Sequence, residues 1–149
     1  MSLNSSIDIK LARRNNYKIC ATQLINTFIN NGWKVIEGGK ISYLPLGDDD
    51  DYDWQSEDIT IEQLNDIIEN KEKSGEIIGV IMKCGDTDIG GSFLIYSELE
   101  LSFSMTINRK TTKCTNNHIL TDVNWYVERI VCLLRDSDYI IESFSYEEY

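Results

Sequence analysis

The sequence predicts an α+β fold built on a mostly antiparallel sheet. Leu99, Leu101, Phe103, Met105 and Ile107 alternate with Glu100, Ser102, Ser104 and Thr106, the pattern of a strand with one buried face and one wet face. Three other segments repeat apolar residues at spacings of three and four, which makes three amphipathic helices. The β-prone runs follow one another across short turns, and such turns join antiparallel neighbours only. The expected order is α-ββ-α-βββ-α-β, with about five to six strands in a single globular domain over residues 1–149.

Residues 1–14 are expected to be a ragged lead-in. The first helix is placed at residues 16–31, with Tyr17, Cys20, Ala21, Leu24, Ile25 and Phe28 on one stripe and Gly32 as its stop. Arg13, Arg14 and Lys18 gather at its start, the unfavourable end of the dipole for bases. Two strands, 33–37 and 40–44, flank Gly38-Gly39 and read as a hairpin, which Pro45 closes because it cannot donate to a ladder. Residues 47–58 read as a loop, since its run of like charges resists packing. A second helix spans 61–73. Thr60 and Gln63 form its capping box, Ile59 and Leu64 a hydrophobic staple, and Ile61, Leu64, Ile67 and Ile68 its stripe. Residues 77–82 are nearly all apolar and predict a central strand, followed by the turn Gly85-Asp86-Thr87-Asp88 and by strands at 91–96 and 99–107. Residues 109–120 read as polar loop. A third helix at 122–135, capped by Thr121 or Asp122, carries Val123, Tyr126, Val127, Ile130, Leu133 and Leu134 inward. A strand at 139–146 and the acids Glu147 and Glu148 follow.

Charge carries the first functional information. The net charge of −11 is uneven: +4 over residues 1–40, −9 over 41–75 and −6 over 76–149. A field this negative repels nucleic acid and anionic membrane, whose binding needs Lys and Arg, and it attracts a basic partner and speeds encounter with it. No apolar run is long enough to span a bilayer, and the polar start Met1-Ser2-Leu3-Asn4-Ser5-Ser6 lacks the apolar core of a secretion signal, so the expectation is a cytoplasmic protein. Cys20, Cys84, Cys114 and Cys132 form no CxxC pair and are expected to be free thiols, with Cys20 and Cys132 on apolar helix faces.

No catalytic or metal signature emerges, and no cofactor is expected. Cys114 and His118 have a spacing compatible with zinc, but no second ligand pair repeats. A calcium loop counted from Asp51 would use Asp53, Gln55 and Glu62, but it places Ser56 where the turn needs Gly, and Glu62 lies within a capped helix. His118 is the only histidine and sits in a polar loop, where solvent exposure is the simpler reading. Neither Gly38-Gly39 nor Gly90-Gly91 belongs to a phosphate-binding loop.

Binding is the reading that remains. Asp48, Asp49, Asp50, Asp51, Tyr52, Asp53, Trp54, Glu57 and Asp58 place two large aromatics inside an acid cluster. Tyr and Trp provide anchor area at low entropy cost, and surrounding acids steer Lys and Arg of a partner. The competing use of Trp54 is to pin the loop to the core. In its size, acidity, α+β order and charge-dense loop the chain resembles the immunity proteins of bacterial polymorphic toxin systems, including those of contact-dependent growth inhibition. That resemblance implies a cytoplasmic protein that neutralises a cognate basic toxin domain, such as a nuclease, by covering its active site. A small enzyme with a site assembled from scattered residues, and an acidic adaptor or nucleic-acid mimic, are the alternatives.

Overall fold

The structure is a computed structural model that describes residues 4–13, 18–97, 99–114 and 116–149. Its strands are β1 (Ser5–Ala12), β2 (Trp33–Lys34), β3 (Ile36–Glu37), β4 (Lys40–Tyr43), β5 (Gln55–Glu57), β6 (Ile78–Cys84), β7 (Gly90–Ser97), β8 (Glu100–Ile107), β9 (Thr111–Lys113), β10 (Ile119–Thr121) and β11 (Ile140–Glu148). The helices are α1 (Ala21–Asn30), α2 (Ile61–Lys73) and a third made of α3 (Val123–Tyr126), a π-helical turn (Val127–Val131) and α4 (Cys132–Asp136). The fold is therefore α+β, as the periodicities predict. The main sheet has nine strands in the order β11-β1-β8-β7-β6-β4-β3, with β2 added on β6 and β5 on β4, rather than five or six. Every pairing is antiparallel.

The register explains the core. Tyr146, Ile7, Phe103, Phe93, Val80 and Tyr43 stand opposite one another across six successive strands. A second row runs Phe144, Ile9, Leu101, Ile95 and Ile78. These rows share a face, and Leu24, Ile25 and Phe28 of α1, Leu64 and Ile68 of α2, and Tyr126, Ile130 and Leu134 of the third helix bury against it. Aromatic rings lock the layers together. Phe28 meets Phe93 at 4.9 Å and Trp33 meets Phe103 at 5.5 Å between ring centres, while the Trp33 indole donates to the Arg129 carbonyl at 3.2 Å. The expected inward residues Leu101, Phe103 and Met105 are all buried.

Several expectations need correction. The lead-in is not ragged where it is described. Ser5–Ala12 is an interior strand between β8 and β11, and its alternation of Ile7, Ile9 and Leu11 with Asp8 and Lys10 is a period-two signal. The first helix begins at Ala21, not residue 16; Asn16 and Tyr17 lie outside the described residues. Its start is set from a distance, because Glu72 of α2 accepts the Ala21 N–H at 2.7 Å. The polar stretch 109–120 contains the β9–β10 hairpin, and the acidic loop contains β5. The last strand runs on to Glu148, so its final acids are not a tail. Cys132 is exposed rather than on an apolar face, since the wider π turn before it shifts the phase of the helix, and Cys20 precedes α1. All four cysteines are free.

Other local signals hold. Gly38 and Gly39 both have positive φ, as the tight β3–β4 turn requires. The Thr60–Gln63 capping box is present on α2, and Asp122 caps α3.

A polar network joins β1, β11 and the end of β10. One Glu148 oxygen, Oε1, accepts from the Tyr146 hydroxyl at 2.7 Å and the Thr121 hydroxyl at 2.8 Å, and pairs with Arg109 at 3.4 Å. Thr121 also bonds Ser5 at 2.9 Å. The hydrogen bonds from Tyr146 and Thr121 hold the Glu148 carboxyl below its ordinary pKa, with Arg109 adding to the effect. Folding lowers this pKa, so the stabilisation is fully present above the ordinary glutamate range and is lost as pH falls through the folded-state value. Glu148→Gln is therefore expected to lower Tm at neutral pH, and the gap to the parent should close once the pH lies well below the ordinary glutamate range. Thermal melts across pH check this; a gap that stays constant down to that pH would show that the charge does not hold the network.

Candidate functional site

The acidic loop is a built structure. Asp48 is only 6% exposed. Its Oδ1 accepts the backbone N–H of Asp51 at 3.0 Å and of Tyr52 at 3.1 Å, and its Oδ2 that of Asp53 at 2.7 Å. One carboxylate thus organises the turn that carries the other acids. Beneath it lies Lys71 of α2, a cation 1% exposed. Its ammonium donates to the carbonyls of Pro45 and Asp48, both at 2.7 Å, and to Glu76 at 3.1 Å. All three donors are used, which is the condition for burying an ammonium. Glu76 also accepts the Gly47 N–H at 2.7 Å, and Asp49 accepts the Ile77 N–H at 3.0 Å. The loop is held at both shoulders, with Tyr52 in the left-handed region at φ 52°.

These contacts divide the nine predicted residues. Asp48 points inward and is structural. Asp49, Asp50, Asp51, Tyr52, Asp53, Glu57 and Asp58 are exposed, and Trp54 is half-buried. The Trp54 ring lies over β6 at Gly79, where an added Cβ would sit 2.8 Å from its Cη2 and 2.8 Å from Cδ1 of Leu44. Gly79 is thus the vacancy that lets the indole and Leu44 rest on the strand. Glu57 stands opposite Ile41 and near the Tyr43 phenol, whose pKa is raised by burial and then by this glutamate. Ile41 and Tyr43 are core residues, so Glu57 belongs to the helix side while Trp54 lies on the far side of the sheet. The structure does not gather the whole set at one point.

What Tyr52 and Trp54 lean toward is the sheet face that carries no helix. Two rows floor it: Ser145, Asp8, Ser102, Leu94 and Gly79, then Glu147, Ser6, Ser104, Ser92 and Ile81. Small serines keep this floor flat. Tyr96 projects over it beside Ser102, and burial pushes its phenol up, with Tyr52, Asp8 and Tyr149 adding to the shift. Tyr52, Tyr96 and Tyr149 remain well exposed. The result is a tyrosine-lined face bounded on one side by Asp49, Asp50, Asp51 and Asp53. Tyr96, Tyr149 and Asp8 were not singled out in the sequence. Their shared face follows only from the register, though the recurring serines at alternate positions of four strands are a trace of it.

Other chemistry finds no footing. His118 is exposed in the connection of the β9–β10 hairpin, where its carbonyl accepts the Cys114 N–H at 2.7 Å. Among the described residues no group of His, Cys, Asp or Glu is arranged to hold a metal ion, and no helix is long and apolar enough to cross a membrane. A cleft of about 580 Å³ lies along Glu72, Glu76, Ile78 and Tyr96 with Arg13 and Lys18 at its rim, but Glu72 and Glu76 are already engaged in the caps described above. No protein-family model matches the chain, and comparison with curated proteins and with solved structures yields no similar protein.

Lys71→Met is expected to destabilise the protein by about 3–5 kcal/mol, because it leaves Glu76 and two inward carbonyls without their cation. Denaturant melts measure the loss. Amide exchange should accelerate first at Asp51, Tyr52 and Asp53; unchanged exchange there would show that the lysine does not hold the loop.

Proposed function

We propose that this protein is a cytoplasmic binding protein that neutralises a cognate basic toxin domain, such as a nuclease, by covering its active site, in the manner of an immunity protein. The observation that supports this reading is the preorganised acid loop beside exposed tyrosines. Asp48 and Lys71 fix the loop from within, so its outer acids are held out to solvent at little further cost in entropy on binding. Tyr52, Tyr96 and Tyr149 supply the rigid amphipathic area that interface anchors use. The floor of short serines leaves room for side chains that reach in.

Arginine and lysine on a partner would meet the acids first. The role of the acids is steering, which acts on association and weakens with salt. The tyrosines act after contact, on dissociation. An acidic surface seated over a nuclease cleft occupies the field that would otherwise hold a phosphate backbone.

The test is co-expression with the product of the gene immediately upstream, where the toxin of an immunity pair is expected, followed by purification and kinetics. A one-to-one complex that abolishes the domain's toxicity is expected. Changing Asp49, Asp50, Asp51 and Asp53 together to Asn, whose amide oxygen can still accept the Ile77 N–H that Asp49 holds, should slow association at least about tenfold at low salt and much less at high salt, with only a small loss of Tm. Asp48→Asn should instead lower Tm. Equal association rates for the parent and the fourfold variant at every salt concentration would end the steering reading, and absence of any complex would end the functional one.

A further inference from the structure

We propose that the outer edge of β11 is a docking rail onto which a basic partner adds a strand, extending the sheet. This rests on the reading of a basic partner above and adds how that partner is gripped.

The main-chain geometry carries the inference. Asn4 and Tyr149 exchange both backbone hydrogen bonds, Asn4 N–H to Tyr149 O at 2.7 Å and Tyr149 N–H to Asn4 O at 2.8 Å. In an antiparallel ladder such bonded pairs alternate with unbonded ones. Stepping along the register, Glu147, Ser145 and Ser143 therefore face β1 with their N–H and C=O groups. Glu148, Tyr146 and Phe144 turn theirs the other way. On β1 the same alternation sends Leu11 to β8, where its N–H meets the Leu99 carbonyl at 2.7 Å. β8 completes the bonding of β1, but among the described residues nothing pairs with the far side of β11.

Edges like this are a hazard that proteins usually blunt with shortness, charged side chains, bulges or proline. β11 is nine residues long, Ile-Ile-Glu-Ser-Phe-Ser-Tyr-Glu-Glu, with no proline; its glutamates guard it against like-charged sheets, and its register shift lies at Ser143–Ile141, which leaves 144–148 in unbroken register. It keeps Phe144 46% exposed and Ile140 44% exposed. At the other end of the sheet β3 has two residues and β5, on the far side of β4, has three, both too short to serve.

Charge selects the occupant. The strand carries Glu142, Glu147 and Glu148 and no base, on a body of net charge −11. A second copy would bring the same net charge of −11 and an edge with no base on it, so the two bodies would repel. A strand alternating basic and apolar residues fits instead. One set of its side chains would lie beside Phe144 on the helix side, the other beside Glu147 on the tyrosine-lined face. Main-chain bonds would supply affinity and the alternation would supply selectivity.

The experiment uses the isotopically labelled full chain and a synthetic heptapeptide alternating Lys with Val and Thr. In the free protein the amides of Phe144, Tyr146 and Glu148 should exchange faster than those of Ser143, Ser145 and Glu147. Saturating peptide should slow exchange at the first three by at least about tenfold. N-methylation of one alternate set of peptide amides should abolish binding, and methylation of the other set should spare it. The same peptide with Glu in place of Lys should bind at least about tenfold more weakly. Binding that perturbs only residues 48–58 and leaves the three amides unprotected overturns the rail while leaving the acidic surface in place. Equal protection by the Lys and Glu peptides overturns the choice of a basic occupant. Protection of the three amides without peptide, with a dimer in sedimentation, assigns the edge to a second copy and overturns the proposal, as does failure of the Lys peptide to bind at millimolar concentration.

Discussion

The row from Tyr146 through Ile7, Phe103, Phe93 and Val80 to Tyr43 is the constraint on which the rest of the structure depends. Side chains on a strand alternate with a period of two, so a slip of one residue anywhere would move a whole set of large apolar groups to the other face. Fixing this row commits one face of the sheet to the helices. It equally commits Ser6, Ser92, Ser102 and Ser104 to the other face. The flat face and the core are one decision, made by the same register.

The acidic loop obeys a different physics from the one its composition suggests. Consecutive aspartates repel, and left alone they would spread into solvent. Here one of them is turned in and a buried lysine is placed beneath, so the backbone itself is gathered by a cation and a carboxylate. Trp54 then rests on the bare backbone of Gly79. Of the two uses weighed for Trp54, the contact with Gly79 fits pinning the loop, and the ring stays partly exposed while it does so.

How legible all this was depends on whether the controlling interaction is local. The α2 capping box, the Gly38-Gly39 turn and the alternation in β8 are set by neighbours in sequence, and they read directly. The start of α1 is set by Glu72, some fifty residues away, and no local pattern could announce it. β1 did have a signal in Ile7, Ile9 and Leu11, but a short alternating run at a chain end with bases after it reads equally as a tail. Lys71 sits among the charges of a solvated helix face by composition, and only tertiary packing reveals that it is buried. The acids and aromatics of the loop were legible as residue types, whereas Tyr96 and Tyr149 joined them only through strand register. The resemblance to immunity proteins rested on size, charge and an element order that opened with a helix, whereas the described fold opens with β1 and adds β5 and the β9–β10 hairpin to that order.

The position of β1 has a consequence for synthesis on the ribosome. Its nearest partner, β8, is made roughly ninety residues later, about 5–20 s at ordinary elongation rates. Until then Ile7, Ile9 and Leu11 emerge with no sheet to enter, while the β3–β4 hairpin and the capped α2 can already form from their own sequence. A chain built this way exposes an interior strand longest, and the cell's holding chaperones would meet it there first.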